Sequence, residues 1–264
     1  MSTLFERTAI HGPVTIRYTV EGEGHPIVIL PSLGRGPADY DELARLLAER
    51  GLKVLRPTPR GMREGDPPAA TLHDYAGDIA AVICQEGLSG VVLAGHALGN
   101  FIARTTAADF PELVRGVALL APSPGRAPGG AATIPEEVLQ SVYESGNLSL
   151  PDSERLGHLQ KAFFAPGNDA SVWLGGWYPH LKAVQNAAWR ATPVDDYFAA
   201  GSAPLLEIQA AQDTVAPPKL AHILRDALGE RVTTRVIEGA GHALVPEQPL
   251  AVADMLSEWV RELS

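Results

Sequence analysis

Val91-Val92-Leu93-Ala94-Gly95-His96-Ala97-Leu98-Gly99-Asn100, running on into Phe101-Ile102-Ala103-Arg104, decides how the rest of the chain is read. The stretch opens with branched apolar residues, passes through a Gly-x-x-x-Gly turn and continues at helical spacing. Such a pattern predicts a buried strand that turns sharply into a helix. Gly95 and Gly99 flank the turn because strand and helix backbones approach closely there and a Cβ would clash. In the G-x-S-x-G form of this turn the middle residue is a serine held exposed above the sheet. Here the middle residue is Ala97: the scaffold for a nucleophile is present and the attacking atom is missing.

Working outward, short apolar runs alternate with amphipathic segments on both sides of this turn. Upstream, residues 15–20 alternate apolar and polar side chains as a half-exposed strand, and Ile27-Val28-Ile29-Leu30 reads as a buried one. The latter ends in the loop Pro31-Ser32-Leu33-Gly34-Arg35-Gly36. A helix is expected over 39–50, with Leu43, Leu46 and Leu47 on one face and Gly51 as its stop, followed by a strand at Val54-Leu55. Thr71 and Asp74 mark the next helix start, with Tyr75, Ile79, Val82 and Ile83 as its buried face. Downstream, the helix of the turn should end near Phe110-Pro111. Strands are expected at 114–120, 204–208 and 232–237, and helices at 217–228 and 246–263. This alternation predicts a single α/β domain over 1–264, a mostly parallel central sheet with helices on both faces.

One stretch, about 122–203, breaks the alternation. Proline and glycine are dense up to Gly130, and helix-like segments then run from Pro135 to about Ala200. It carries Phe163, Phe164, Trp173, Trp177, Tyr178, Trp189, Tyr197 and Phe198, a large share of the chain's aromatics. We read it as a helical cap inserted over the sheet. Its aromatics suit a plain core and the wall of an apolar pocket equally; Trp173 and Trp177 are the candidates for the wall.

Composition narrows the class of partner. The 264 residues are enough for one sizeable core, and the net charge of −10 argues against nucleic-acid or anionic-membrane partners, which select for a basic face. A small apolar substrate is the expected partner, and a homodimer is left open. Cys84 is the only cysteine, so neither a disulfide framework nor a Cys-rich metal site is expected. Its setting beside Ile79, Val82 and Ile83 predicts a buried, inert thiol. The first residues lack a basic region followed by an apolar run, and no segment approaches the roughly 18 apolar residues of a membrane span, so a cytoplasmic location is expected.

Two further residues fall where chemistry would be placed. Asp213 lies just beyond the apolar run at 204–208, and His242 lies in the loop Glu238-Gly239-Ala240-Gly241-His242 after 232–237. Either alone reads equally well as a turn carboxylate or a loop histidine. Together, both beyond the C-terminal ends of parallel strands, they read as an acid holding a general base.

The Gly-His-x-x-Gly turn, the Gln212-Asp213 turn and the Gly-x-Gly-His loop occur in the order nucleophile elbow, acid, histidine, and over its whole length the chain resembles the α/β-hydrolase superfamily. It looks like a small bacterial member with a helical cap, and it is similar to a bacterial branch with alanine at the elbow. The resemblance implies an ester or lactone hydrolase with no cofactor and no metal, in which Ala97 holds the nucleophile position and Asp213 orients His242. It also implies an oxyanion hole from the backbone N–H groups of Leu98 and Leu33. Many members carry His-Gly in the early loop, where this chain has Pro31-Ser32.

Ala97 admits three readings. Alanine replaces a serine, which leaves an inactivated hydrolase able to retain its substrate. Or alanine is native, and His242 with Asp213 acts directly as a base for hydrolysis, carbon–carbon cleavage or proton transfer. Or the fold only binds. Ser32 is a remote candidate for a relocated nucleophile, its plainer reading being a loop serine with a backbone hydrogen bond, and His96 either lines the pocket or packs beside the sheet. Gly34-Arg35-Gly36 lacks the third glycine of a dinucleotide fingerprint, and the histidines show no metal-ligand spacing.

Overall fold

The computed structural model describes residues 4–63, 65–123, 125 and 134–263. Most of the Pro/Gly-rich start of the expected cap, 126–133, lies outside the described residues. Eight strands form one sheet: β1 (Phe5–His11), β2 (Val14–Glu21), β3 (His25–Leu30), β4 (Leu52–Pro57), β5 (Val91–His96), β6 (Val114–Leu120), β7 (Leu205–Ala210) and β8 (Val232–Ile237). Their order is β1-β2-β4-β3-β5-β6-β7-β8. β2 pairs antiparallel with both β1 and β4, and the remaining pairs are parallel. The expected mostly parallel α/β sheet is therefore present.

Pleating divides each buried strand between two cores. Ile27 and Ile29 of β3, with Val92 and Ala94 of β5, join one apolar cluster with Trp259 and Leu47. Val28, Leu30 and Leu93 point the other way, into a cluster with Ile79, Phe101 and Ile102. The first face is covered by α1 (Asp41–Glu49) and α10 (Pro249–Glu262), the second by α2 (Leu72–Gln85) and α3 (Leu98–Asp109). Helices on both faces make continuous apolar runs the only workable strand sequence here.

Four expectations need correction. β1 was not anticipated: in Phe5–His11 only Ala9 is buried, so neither alternation nor an apolar run marks it, and pairing with β2 alone makes it an edge strand. The helix expected at 246–263 is two, α9 (Leu244–Glu247) and α10, broken at Gln248, whose φ of −136° and ψ of 54° lie outside the helical region that the following Pro249 disfavours. The helix expected at 217–228 is a short 3-10 turn followed by α8 (His222–Leu228). Cys84 is exposed, not buried: it sits one residue past Ile83, which turns it off the apolar face of α2. The Thr71–Asp74 capping box does open α2.

Between β6 and β7 lie α4 (Glu136–Glu144), α5 (Asp152–Ala162), α6 (Pro179–Ala191) and α7 (Val194–Tyr197). Phe163, Phe164, Trp173 and Trp177 form a third cluster there, which includes Ala243 of the histidine loop.

At the turn from β5 to α3, a Cβ on Gly95 would lie 2.3 Å from the Gly99 carbonyl oxygen, and one on Gly99 would lie 2.4 Å from that of Leu30. Ala97 between them has φ 49° and ψ −111°, a conformation that costs an L-residue about 1–3 kcal/mol. Ala97→Gly relieves that strain and forfeits about 0.5–1 kcal/mol of chain entropy. We expect a net gain of about 1 kcal/mol, a Tm rise of roughly 2–4 °C by calorimetry; a lower Tm would mean that the turn is unstrained.

Candidate active site

The C-terminal ends of β3, β5, β7 and β8 face one cavity of about 450 Å³, a volume suited to a small molecule. Ala97 and His242 both line it. His242 Nδ1 lies 2.8 Å from Asp213 Oδ2. The other Asp213 oxygen accepts the backbone N–H groups of Val215 and Ala216, both at 2.8 Å, so the carboxylate cannot rotate without losing them. Both residues are buried. With Nδ1 engaged, Nε2 is the ring nitrogen left to act toward the cavity.

The histidine loop is held from behind. Ala243 N–H donates to the Phe163 carbonyl at 2.8 Å, and Gly241 N–H donates to Glu247 Oε2 at 2.8 Å. A Cβ at position 241 would sit 2.6 Å from the Phe163 oxygen, which is why this loop needs glycine before its histidine.

A buried relay joins this loop to the other two. His96 Nε2 lies 2.8 Å from the His242 carbonyl oxygen, which only accepts, so Nε2 carries the proton. Burial, then repulsion from His242, pushes the His96 pKa down to about 3, and the neutral ring therefore accepts at Nδ1 from the Tyr40 hydroxyl, 2.8 Å away. The Tyr40 oxygen in turn accepts the Ser32 N–H at 2.9 Å. The early loop, the elbow and the histidine loop are thus one hydrogen-bonded unit.

This relay corrects two expected positions. His96 and Trp173 do not line the cavity. Both are buried behind it, His96 because both ring nitrogens are spent on the relay, and Trp173 because it packs against Phe163 and Phe164. Ser32 and Trp177 do line it. The Ser32 N–H is taken by Tyr40. The Leu33 and Leu98 amides make no hydrogen bond among the described residues, and both residues line the cavity.

Sequence reasoning missed three residues here. Tyr40, at the start of α1, carries no cue beyond being aromatic. Gln185 of α6 accepts the Gly34 N–H at 2.8 Å across 151 residues of chain. Arg35 is buried, paired with Asp39 at 2.5 and 2.9 Å, donates to the Trp173 and Gly175 carbonyls, and stacks 4.6 Å from the rings of Trp173 and Trp177. An arginine between two glycines was the one available signal.

The relay has a pH signature. The unfolded chain takes a proton on His96 near pH 6.5, and the folded chain refuses it until about 3. Stability from this group is complete above pH 6.5 and is lost as pH falls toward 3, by about 1.4 kcal/mol per pH unit. Denaturant melts of His96→Gln between pH 7 and 4 should show a shallower loss than the parent; parallel curves would refute the neutral relay.

Comparison with known proteins agrees with the fold. The family model described as alpha/beta hydrolase family matches residues 27–255, and the chain belongs to that family. The monoglyceride lipase of Homo sapiens is 27% identical over 255 residues, 89% of this chain and 82% of that protein. An esterase from Exiguobacterium antarcticum superposes with TM-score 0.79 at 18% identity, over 97% of this chain and 100% of that one. A bromoperoxidase from Bacillus anthracis superposes with TM-score 0.73 at 16% identity, over 97% and 100%. At those identities the two structures speak for the fold alone. Among the described residues no helix is long and apolar enough to cross a membrane, and no group of three or more His, Cys, Asp or Glu is placed to hold a metal ion.

Proposed function

We propose that the chain hydrolyses a small, largely apolar ester or lactone, with His242 acting as general base on water. The carrying observation is a complete base without a nucleophile. Asp213 fixes His242 Nδ1 at 2.8 Å, Nε2 is left free, and the elbow beneath presents only the Ala97 methyl. His242 Nε2 removes a proton from water as the water oxygen bonds to the substrate carbonyl carbon. The amides of Leu33 and Leu98 stabilise the resulting oxyanion. Collapse breaks the bond to the leaving alkoxide, which takes the proton back from His242. Asp213 stabilises the imidazolium in between. The insertion over the cavity serves as its cap, with Trp177 as part of the apolar wall.

The test is turnover of ethyl valerate and γ-butyrolactone by the chain as it stands, in parallel with a fluorophosphonate probe. Hydrolysis without labelling is expected. Absence of turnover, together with turnover by Ala97→Ser, would overturn the direct-water mechanism and mark the site as a serine hydrolase lacking its serine.

A further inference from the structure

Apart from Ser32, Ser123, Tyr143 and His242, the polar side chains lining the cavity lie along one helix. Lys182, Asn186 and Arg190 of α6 all line it, spaced four residues apart, which places them in a single row along one helix face. No aspartate or glutamate is among the described residues lining the cavity. The polar atoms of this row are short of partners. Lys182 Nζ lies 3.2 Å from the Val142 carbonyl oxygen and 3.5 Å from that of Tyr143, with the rings of Tyr143 and Trp177 at 5.1 and 5.8 Å. It has no ion pair among the described residues, and burial pulls its pKa down, against the attraction of Glu144. The side chains of Asn186 and Arg190 make no hydrogen bond there at all. Lys182, half-buried and without an ion pair among the described residues, carries a desolvation cost that an anionic ligand would offset, whereas Arg190 is exposed and carries none.

We propose that the substrate carries a carboxylate, held along the Lys182–Asn186–Arg190 row while its ester or lactone carbonyl lies at the Leu33 and Leu98 amides. The placement of the carbonyl rests on the hydrolase reading above; the anion site does not. Lys182 supplies a point charge, and Asn186 adds an amide donor. Arg190, exposed at the rim, draws the anion inward. The neighbouring Gln185 holds the Gly34 N–H, so the same helix that grips the carboxylate also holds the loop bearing Leu33.

Monoethyl glutarate and ethyl valerate separate the claims, because they share an acyl length and differ in one charge. Binding to the intact chain is measured by calorimetry, and hydrolysis by acid release. Monoethyl glutarate should bind at least about tenfold tighter, as one charge-assisted hydrogen bond implies, and lose that margin in high salt. Lys182→Gln should cut the preference by roughly tenfold, and Arg190→Glu, an exposed position that leaves packing intact, by a few-fold. The affinity for ethyl valerate should fall less than that for monoethyl glutarate in both variants. Equal binding of the two esters, or equal losses for both in the variants, would overturn the carboxylate site. Selective binding without hydrolysis would uphold it and overturn the hydrolase reading; hydrolysis of both esters without preference would do the reverse.

Discussion

Ala97→Ser should turn a slow, unlabelled protein into one that reacts covalently with fluorophosphonates and hydrolyses activated esters at least about 10²-fold faster. The substitution adds one oxygen to a Cβ already held at φ 49° above the strand end, so the backbone need not move. The histidine is already oriented by Asp213, and the Leu33 and Leu98 amides make no hydrogen bond among the described residues. Loss of the nucleophile costs on the order of 10⁶-fold in a serine protease with a complete triad, so the gain has ample room. A serine that neither labels nor accelerates would mean that Nε2 does not reach the position above Ala97, and the site would need another account.

His242→Ala should abolish turnover of the parent chain by a factor of about 10²–10⁴, the range general-base catalysis supplies. Asp213→Asn should cost nearly as much for a different reason. The Asn oxygen can keep the Val215 and Ala216 amides, which leaves its NH₂ facing His242 Nδ1. That donor forces Nδ1 to accept, moves the ring proton to Nε2 and removes the base. The double variant should be no worse than His242→Ala alone, since the two residues act as a unit. Additive losses in kcat would sink the dyad.

The helices and strands that bear this site were legible because each announces itself locally. The elbow needs Gly95 and Gly99, α2 has its capping box, and β3, β5 and β6 are apolar runs buried on both faces. That Asp213 and His242 would meet was legible from their order and their places after strands. What could not be read depends on distant partners. Whether His96 faces the cavity or turns away is decided by Tyr40 and by a carbonyl 146 residues later, and nothing in Gly95-His96-Ala97 encodes that. Gln185 and the Lys182 row belong to a helix whose sequence is ordinary; only its docking against the early loop gives those side chains a purpose. Cys84 was misplaced because helical periodicity fixes a face only to within about one residue.

The buried Arg35 bears on how anything reaches the cavity. Swinging the inserted helices off the sheet would pull a guanidinium away from two carbonyls and two indoles and break the Gln185 clasp on Gly34. Such an opening would also release the loop that carries the Leu33 amide. Arg35 and Gln185 thus tie the segment between β6 and β7 to the loop after β3, and displacing one costs the contacts of both.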